Sequence, residues 1–198
     1  MVIVSIIFFS ESGHTGKIAE AIEKGATAGI KNIKTNLISI DGKDIVEGHY
    51  KNDKVIEMLK ESDAIIFGSP TYMGGVASQF KAFADATAGV WMGQKWRNKL
   101  AAGFTVSGAL SGDKLHTLQY MNLFAMQHGM IWVSLGELPA QPNGVNRLGG
   151  WIGVMAQADN DSAEVTPGSE DKLTAELLGK RIAALAMQMK AVENPVLS

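Results

Sequence analysis

The chain has no cysteine among its 198 residues. That excludes disulfides, thiol nucleophiles and the thiolate ligands of iron–sulfur clusters and most structural zinc sites. Long apolar runs are missing too. The opening stretch, residues 2–9, is too short to span a bilayer and lacks the basic flank and cleavage site of a secretory leader. Neither sign of charge dominates: 18 Lys and Arg stand against 20 Asp and Glu, a formal net charge of −2. No basic face for nucleic acid is implied, and no membrane insertion is expected. Paired carboxylates and His/Asp/Glu clusters at ligand spacing are absent, so hydrolysis lacks its parts and no metal site is expected. A soluble, cytoplasmic protein is the expectation.

Glycine, by contrast, is abundant. It fills 22 of 198 positions, above the ordinary share of about 7%. The excess sits in loops after predicted strands, where backbone must approach a partner closely. The apolar runs predict strands over 2–9, 34–40, 63–68, 100–106 and 131–135. Between and after them, helical periodicity predicts helices over 15–29, 51–60, 77–88, 115–127 and 170–191, the last capped by Ser169. Residues 136–168 are rich in Gly, Pro and Asn and too long for a plain connection. Strands alternating with helices predict a three-layer α/β domain over 1–198, with a parallel sheet covered on both faces. Ligands on such sheets bind beyond the carboxyl ends of the strands.

Three glycine-bearing loops fall at that edge. The first, Ser10, Glu11, Ser12, Gly13, His14 and Thr15, joins an apolar strand to a helix. The first amides of a helix have no internal partner, and its dipole favours negative charge there. Three hydroxyls and a glycine complete an anion site without a basic side chain. The P-loop spacing is not met, because Lys17 is followed by Ile18 and Glu11 stands where the first glycine belongs. The dinucleotide fingerprint also fails at Glu11. What remains, Ser-x-Ser-Gly-x-Thr, resembles the phosphate loop of flavodoxin-like FMN proteins.

The second loop, Pro70, Thr71, Tyr72, Met73 and Gly74, and the third, Thr105, Val106, Ser107, Gly108, Ala109, Leu110 and Gly112, would flank a flat ring and offer it backbone donors. His128 ends a helix and precedes a strand, which places it at the same edge in this reading. Trp91 and Trp96 read as exposed aromatics, and the methionines of the last two helices as core or interface filler.

Over nearly its whole length the chain resembles the WrbA-type NAD(P)H:quinone oxidoreductases. The most specific stretches are Gly68-Ser69-Pro70-Thr71-Tyr72-Met73-Gly74, the run Phe83-Ala84-Asp85-Ala86-Thr87-Ala88-Gly89-Val90-Trp91, His128-Gly129-Met130 and Gly149-Gly150-Trp151. The resemblance implies a flavodoxin-like fold with a five-stranded sheet in the order 2-1-3-4-5, FMN as cofactor and NADH or NADPH as donor. It implies that the three loops hold FMN. Trp91 would reach the flavin face of a neighbouring subunit and bind substrate, and His128 would serve substrate binding and catalysis. A homo-oligomer, dimer or tetramer, follows. The chain departs from the family at Ser12, where an aromatic residue is usual, at Thr15, which is flavodoxin-like, and at Ala109 and Leu110 in a less glycine-rich third loop. The function expected is two-electron, ping-pong reduction of a small-molecule quinone through FMN. A flavodoxin-type electron carrier and a flavin-free regulatory module on the same fold are the alternatives.

Overall fold

The computed structural model describes residues 1–192; residues 193–198 of the expected domain lie outside the described residues. In chain order the elements are β1 (Val2–Phe8), α1 (His14–Thr27), β2 (Ile33–Ser39), the two-residue strands β3 (Ile45–Val46) and β4 (His49–Tyr50), and α2 (Asp53–Lys60). Then come β5 (Ala64–Tyr72), β6 (Gly75–Val76), α3 (Ser78–Ala86), α4 (Ala88–Met92), β7 (Leu100–Ser107), α5 (Lys114–Gln127), β8 (Ile131–Trp132), β9 (Val154–Gln157) and α6 (Ser169–Ala191).

One seven-stranded sheet runs β2-β1-β5-β7-β8, with β6 antiparallel to β5 and β9 parallel to β7. The expected five strands in the order 2-1-3-4-5 are thus corrected. The strand expected over 131–135 shrinks to β8, which covers only Leu100 and Ala101 of β7. The rest of that edge is taken by β9, paired with Phe104 to Ser107. A four-residue strand inside a glycine-rich stretch carries too little periodicity to be seen in sequence.

The parallel pairs share both faces with helices, so β1 is apolar at nearly every position. Val2, Val4, Ile6 and Phe8 face one core, with Ile18, Ile22, Leu178 and Ile182 of α1 and α6. Ile7 belongs to the other, with Phe67, Phe80, Phe83, Trp96 and Phe124. Helix α1 meets α6 with almost no gap. A Cβ on Gly25 would stand 1.9 Å from the Glu176 carbonyl oxygen, and one on Gly179 would stand 2.0 Å from that of Ile22.

Helix ends differ locally from expectation. The helix expected over 77–88 breaks at Thr87, whose hydroxyl donates to the Ala84 carbonyl, giving α3 and α4. Ser169 lies inside α6 and bonds Glu170; the N-cap is Gly168. The long segment 136–168 is tied down from α6. Arg147 donates from Nε and Nη2 to both carboxylate oxygens of buried Asp171 at 2.8 Å, and the Gln157 amide donates to the same carboxylate at 2.8 Å. A bidentate pair with a third donor leaves the buried charge well compensated.

Candidate functional site

Strands β1, β5 and β7 run in register, Phe8 beside Gly68 beside Phe104, so their following loops leave one edge. There they enclose a cleft of about 330 Å³. Its walls are Glu11, Ser12, His14 and Thr15, then Pro70 and Tyr72, then Val106, Ser107 and Gly108. All three predicted loops therefore meet. No lysine or arginine lines the cleft among the described residues.

The first loop turns at Gly13, the N-cap of α1, with φ +91. Its carbonyl takes the Lys17 amide at 3.0 Å, while the Gly16 amide donates to Ser10 Oγ at 3.1 Å. Among the described residues no acceptor meets the amides of His14 and Thr15. A helix N-terminus with free amides, turned by a left-handed glycine, fits a phosphate dianion. The Ser12 hydroxyl contributes less than expected. His14 Nε2 lies 2.9 Å from the Asp161 carbonyl oxygen, which only accepts, so Nε2 carries a proton. In the neutral ring Nδ1 then accepts from Ser12 Oγ at 2.8 Å. The Ser12 hydroxyl is thus spent on His14, whereas Ser10 accepts from the Gly16 amide and keeps its own hydrogen to donate.

The second loop is the tip of a hairpin. Tyr72 pairs with Gly75, and the two central residues, Met73 (φ 45) and Gly74 (φ 77), are left-handed, as a type I′ turn requires. Met73 is fully exposed. The Tyr72 hydroxyl donates to Glu11 Oε2 at 2.8 Å and bridges the first two loops. Burial and that carboxylate push the Tyr72 phenol up to about 12, so it stays a donor. Thr71 and Thr105 turn their hydroxyls inward: Thr71 bonds both Thr105 and Thr117 at 2.8 Å. They join β5, β7 and α5, leaving only backbone for a ligand.

In the third loop Ser107 Oγ donates to the Ala109 carbonyl at 3.2 Å. Gly112 (φ +54) is required there, since its Cβ would stand 2.2 Å from that hydroxyl oxygen. Three residues of the long segment, Ala158, Asp159 and Asn160, form a fourth wall of the cleft that sequence reasoning missed. Only their position after β9 brings them there. His116 donates from Nδ1 to the Gly74 carbonyl at 2.6 Å and fastens the hairpin tip to α5.

Trp91 and His128 are brought together, but elsewhere. They line a second groove of about 410 Å³ with Asp85, Tyr120 and Gln127. His128 caps the carboxyl end of α5, just before β8, which starts beside Leu100 at the amino end of β7. Helix α5 runs antiparallel to the strands, so the expectation that His128 shares the loops' edge is corrected: it lies at the other edge. Trp96, expected on the surface, is fully buried 4.4 Å from the His128 ring, whereas Trp91 is 48% exposed.

His128 is 2% exposed; Nε2 bonds the Thr87 hydroxyl at 3.0 Å, and among the described residues Nδ1 has no partner. Burial lowers its pKa from 6.5 to about 4. The unfolded chain therefore takes up a proton between those values that the native state refuses. Stability should hold above pH 6.5 and fall as pH drops towards 4, by up to about 3 kcal/mol from this group. Urea midpoints of wild type and His128→Gln at pH 7 and 4.5 check this. The wild type should lose more than the variant, and equal losses would refute the assignment.

Fold and cleft together define a flavodoxin-like protein, with unpaired helix N-terminal amides at the edge of a doubly covered sheet. The chain belongs to the NADPH-dependent FMN reductase family, whose model matches residues 5–141. It is accordingly an oxidoreductase that uses FMN and a nicotinamide donor. It is 38% identical over 191 residues to flavodoxin FldP of Pseudomonas aeruginosa, covering 94% of this chain and 97% of that one. It is 33% identical over 202 residues to an NAD(P)H dehydrogenase (quinone) of Archaeoglobus fulgidus, covering 94% and 98%. The crystal structure of a WrbA-like flavodoxin from Agrobacterium tumefaciens matches with a TM-score of 0.75 and 40% identity, over 95% of this chain and 99% of that chain. The resemblance to WrbA-type proteins therefore holds. Among the described residues no helix is long and apolar enough to cross a membrane.

Proposed function

We propose that the chain is a single flavodoxin-like domain acting as a cytoplasmic, homo-oligomeric FMN-dependent NAD(P)H:quinone oxidoreductase. The observation that carries this reading is the cleft where Glu11 to Thr15, Pro70 to Tyr72 and Val106 to Gly108 converge beside free helix amides. FMN supplies the electron-accepting ring. The protein's part is positional. The His14 and Thr15 amides hold the phosphate, the Tyr72–Glu11 bridge fixes the second loop against the first, and Val106 to Gly108 bound the ring's other side. Trp91 is exposed on the groove remote from its own cleft, which suits a residue contributed to a neighbour's site. His128 remains behind it as a buried, neutral group. Donor and quinone use one open face in turn, so two electrons pass with ping-pong kinetics.

Steady-state rates with NADH or NADPH and benzoquinone test this. Parallel double-reciprocal lines are expected, and a yellow, FMN-loaded protein without turnover on either donor would overturn it. A second reading, an electron carrier serving a protein partner, is favoured by the similarity to flavodoxin FldP. That reading requires reduction by a reductase but not by the free nicotinamide.

A further inference from the structure

Lys114 is the first residue of α5 and has no exposed surface. Both facts are unfavourable. A helix N-terminus repels a cation, and a buried charge loses its hydration. Its pKa is correspondingly lowered to about 8 by burial, against the pull of Asp171. The amine is compensated by two backbone carbonyls, Ala109 at 2.6 Å and Leu110 at 3.1 Å. Gly112 (φ 54) and Asp113 (φ 53) are both left-handed, the second at a conformational cost for a non-glycine residue. They turn the chain so that Lys114 reaches back beneath its own loop.

A trans peptide points its N–H opposite to its C=O. Carbonyls 109 and 110 converge on one amine, so the amides of Leu110 and Ser111 are directed away from it. Among the described residues no acceptor meets either. They follow Gly108, which lines the cleft.

We propose that Lys114 is a positioning residue for the third loop: it presets the Leu110 and Ser111 amides as a donor pair and places a buried positive charge behind them, favouring the electron-rich edge of reduced FMN. The proposal rests on the reading that the cleft takes FMN. Pinning and charge separate experimentally. Lys114→Gln keeps a donor without charge, Lys114→Arg keeps both, and Lys114→Met keeps neither.

FMN affinity is read from fluorescence quenching, and the midpoint potential from a redox titration. For Lys114→Met, oxidised FMN should bind about tenfold more weakly, the scale of a lost charge-assisted hydrogen bond. Reduced FMN should lose about tenfold more, a fall of ~30 mV for a two-electron couple. Lys114→Arg should restore both values, and Lys114→Gln the affinity but not the potential. A Lys114→Gln protein with wild-type potential overturns the charge role, including where Lys114→Met does not fold. An FMN-binding wild type whose variants match it in both readouts overturns this inference alone. A wild type that binds no FMN overturns it together with the reading beneath it.

Discussion

Gly13→Val should lose FMN affinity by at least about 100-fold, near 2.7 kcal/mol, while the rest of the fold persists. Two costs combine at this position. Its φ of +91 lies where a β-branched residue is strained by about 1–3 kcal/mol. Its Cβ would also stand 3.0 Å from the Ala163 Cβ, and valine adds two methyl groups beyond that. Relief requires the loop to unwind, which removes the free amides of His14 and Thr15 from their common direction. Fluorescence titration with FMN, beside far-UV circular dichroism, separates lost binding from lost folding. Gly13→Ala should fall between wild type and valine. Ser12→Ala should cost less than about threefold, since a neutral hydrogen bond spent on His14 contributes only about 1 kcal/mol and none of it to the ligand. Equal losses for Ser12→Ala and Gly13→Val would return the phosphate grip to the hydroxyls.

Gly25→Val should destabilise the whole domain by more than about 3 kcal/mol, the upper range for overpacking. A helix interior ordinarily gains up to about 1 kcal/mol when glycine is replaced by a better helix former. Here the added Cβ would sit 1.9 Å from backbone, the Glu176 carbonyl oxygen, which cannot rotate away as a side chain can. Packing therefore outweighs propensity, and α6 must separate from α1. At about 2–4 °C per kcal/mol for a domain this size, Tm should fall by roughly 6 °C or more. Gly89→Ala in α4 is the control. No atom of the described residues would stand within 4 Å of its Cβ, so it should change stability by less than about 1 kcal/mol. A wild-type Tm for Gly25→Val would mean that the helix contact is not as close as described.

Much of this arrangement was legible in the sequence because its signals are local. The apolar run of β1 and the hydroxyl-rich turn after it lie within sixteen residues. Gly74 and Gly112 mark left-handed turns where they were read as loop glycines. What stayed hidden depends on direction and distance in three dimensions. The Ser12 hydroxyl reads as a ligand donor, and nothing in sequence shows that His14 claims it, or that Thr71 pairs with Thr105 and Thr117. His128 ends a helix, but ending a helix does not place a residue at the edge where the loops lie. A helix that crosses back from a parallel strand ends at the opposite edge of the sheet. Trp96 and Trp91 are five residues apart and equally aromatic, yet one fills the core against Phe67 and Phe124 and the other faces outward. Ala158 to Asn160 reach the cleft only because β9 docks on β7, a pairing too short to leave a pattern.

Main-chain amides at the start of α1 are expected to hold a phosphate without help from a cation. Parallel titrations of flavin-free protein with FMN and with riboflavin test it most directly, since the two differ only by that group. FMN should bind at least about 100-fold more tightly, 2.7 kcal/mol or more from the phosphate. Equal affinity for the two, or none for FMN, would mean that these amides do not hold the phosphate.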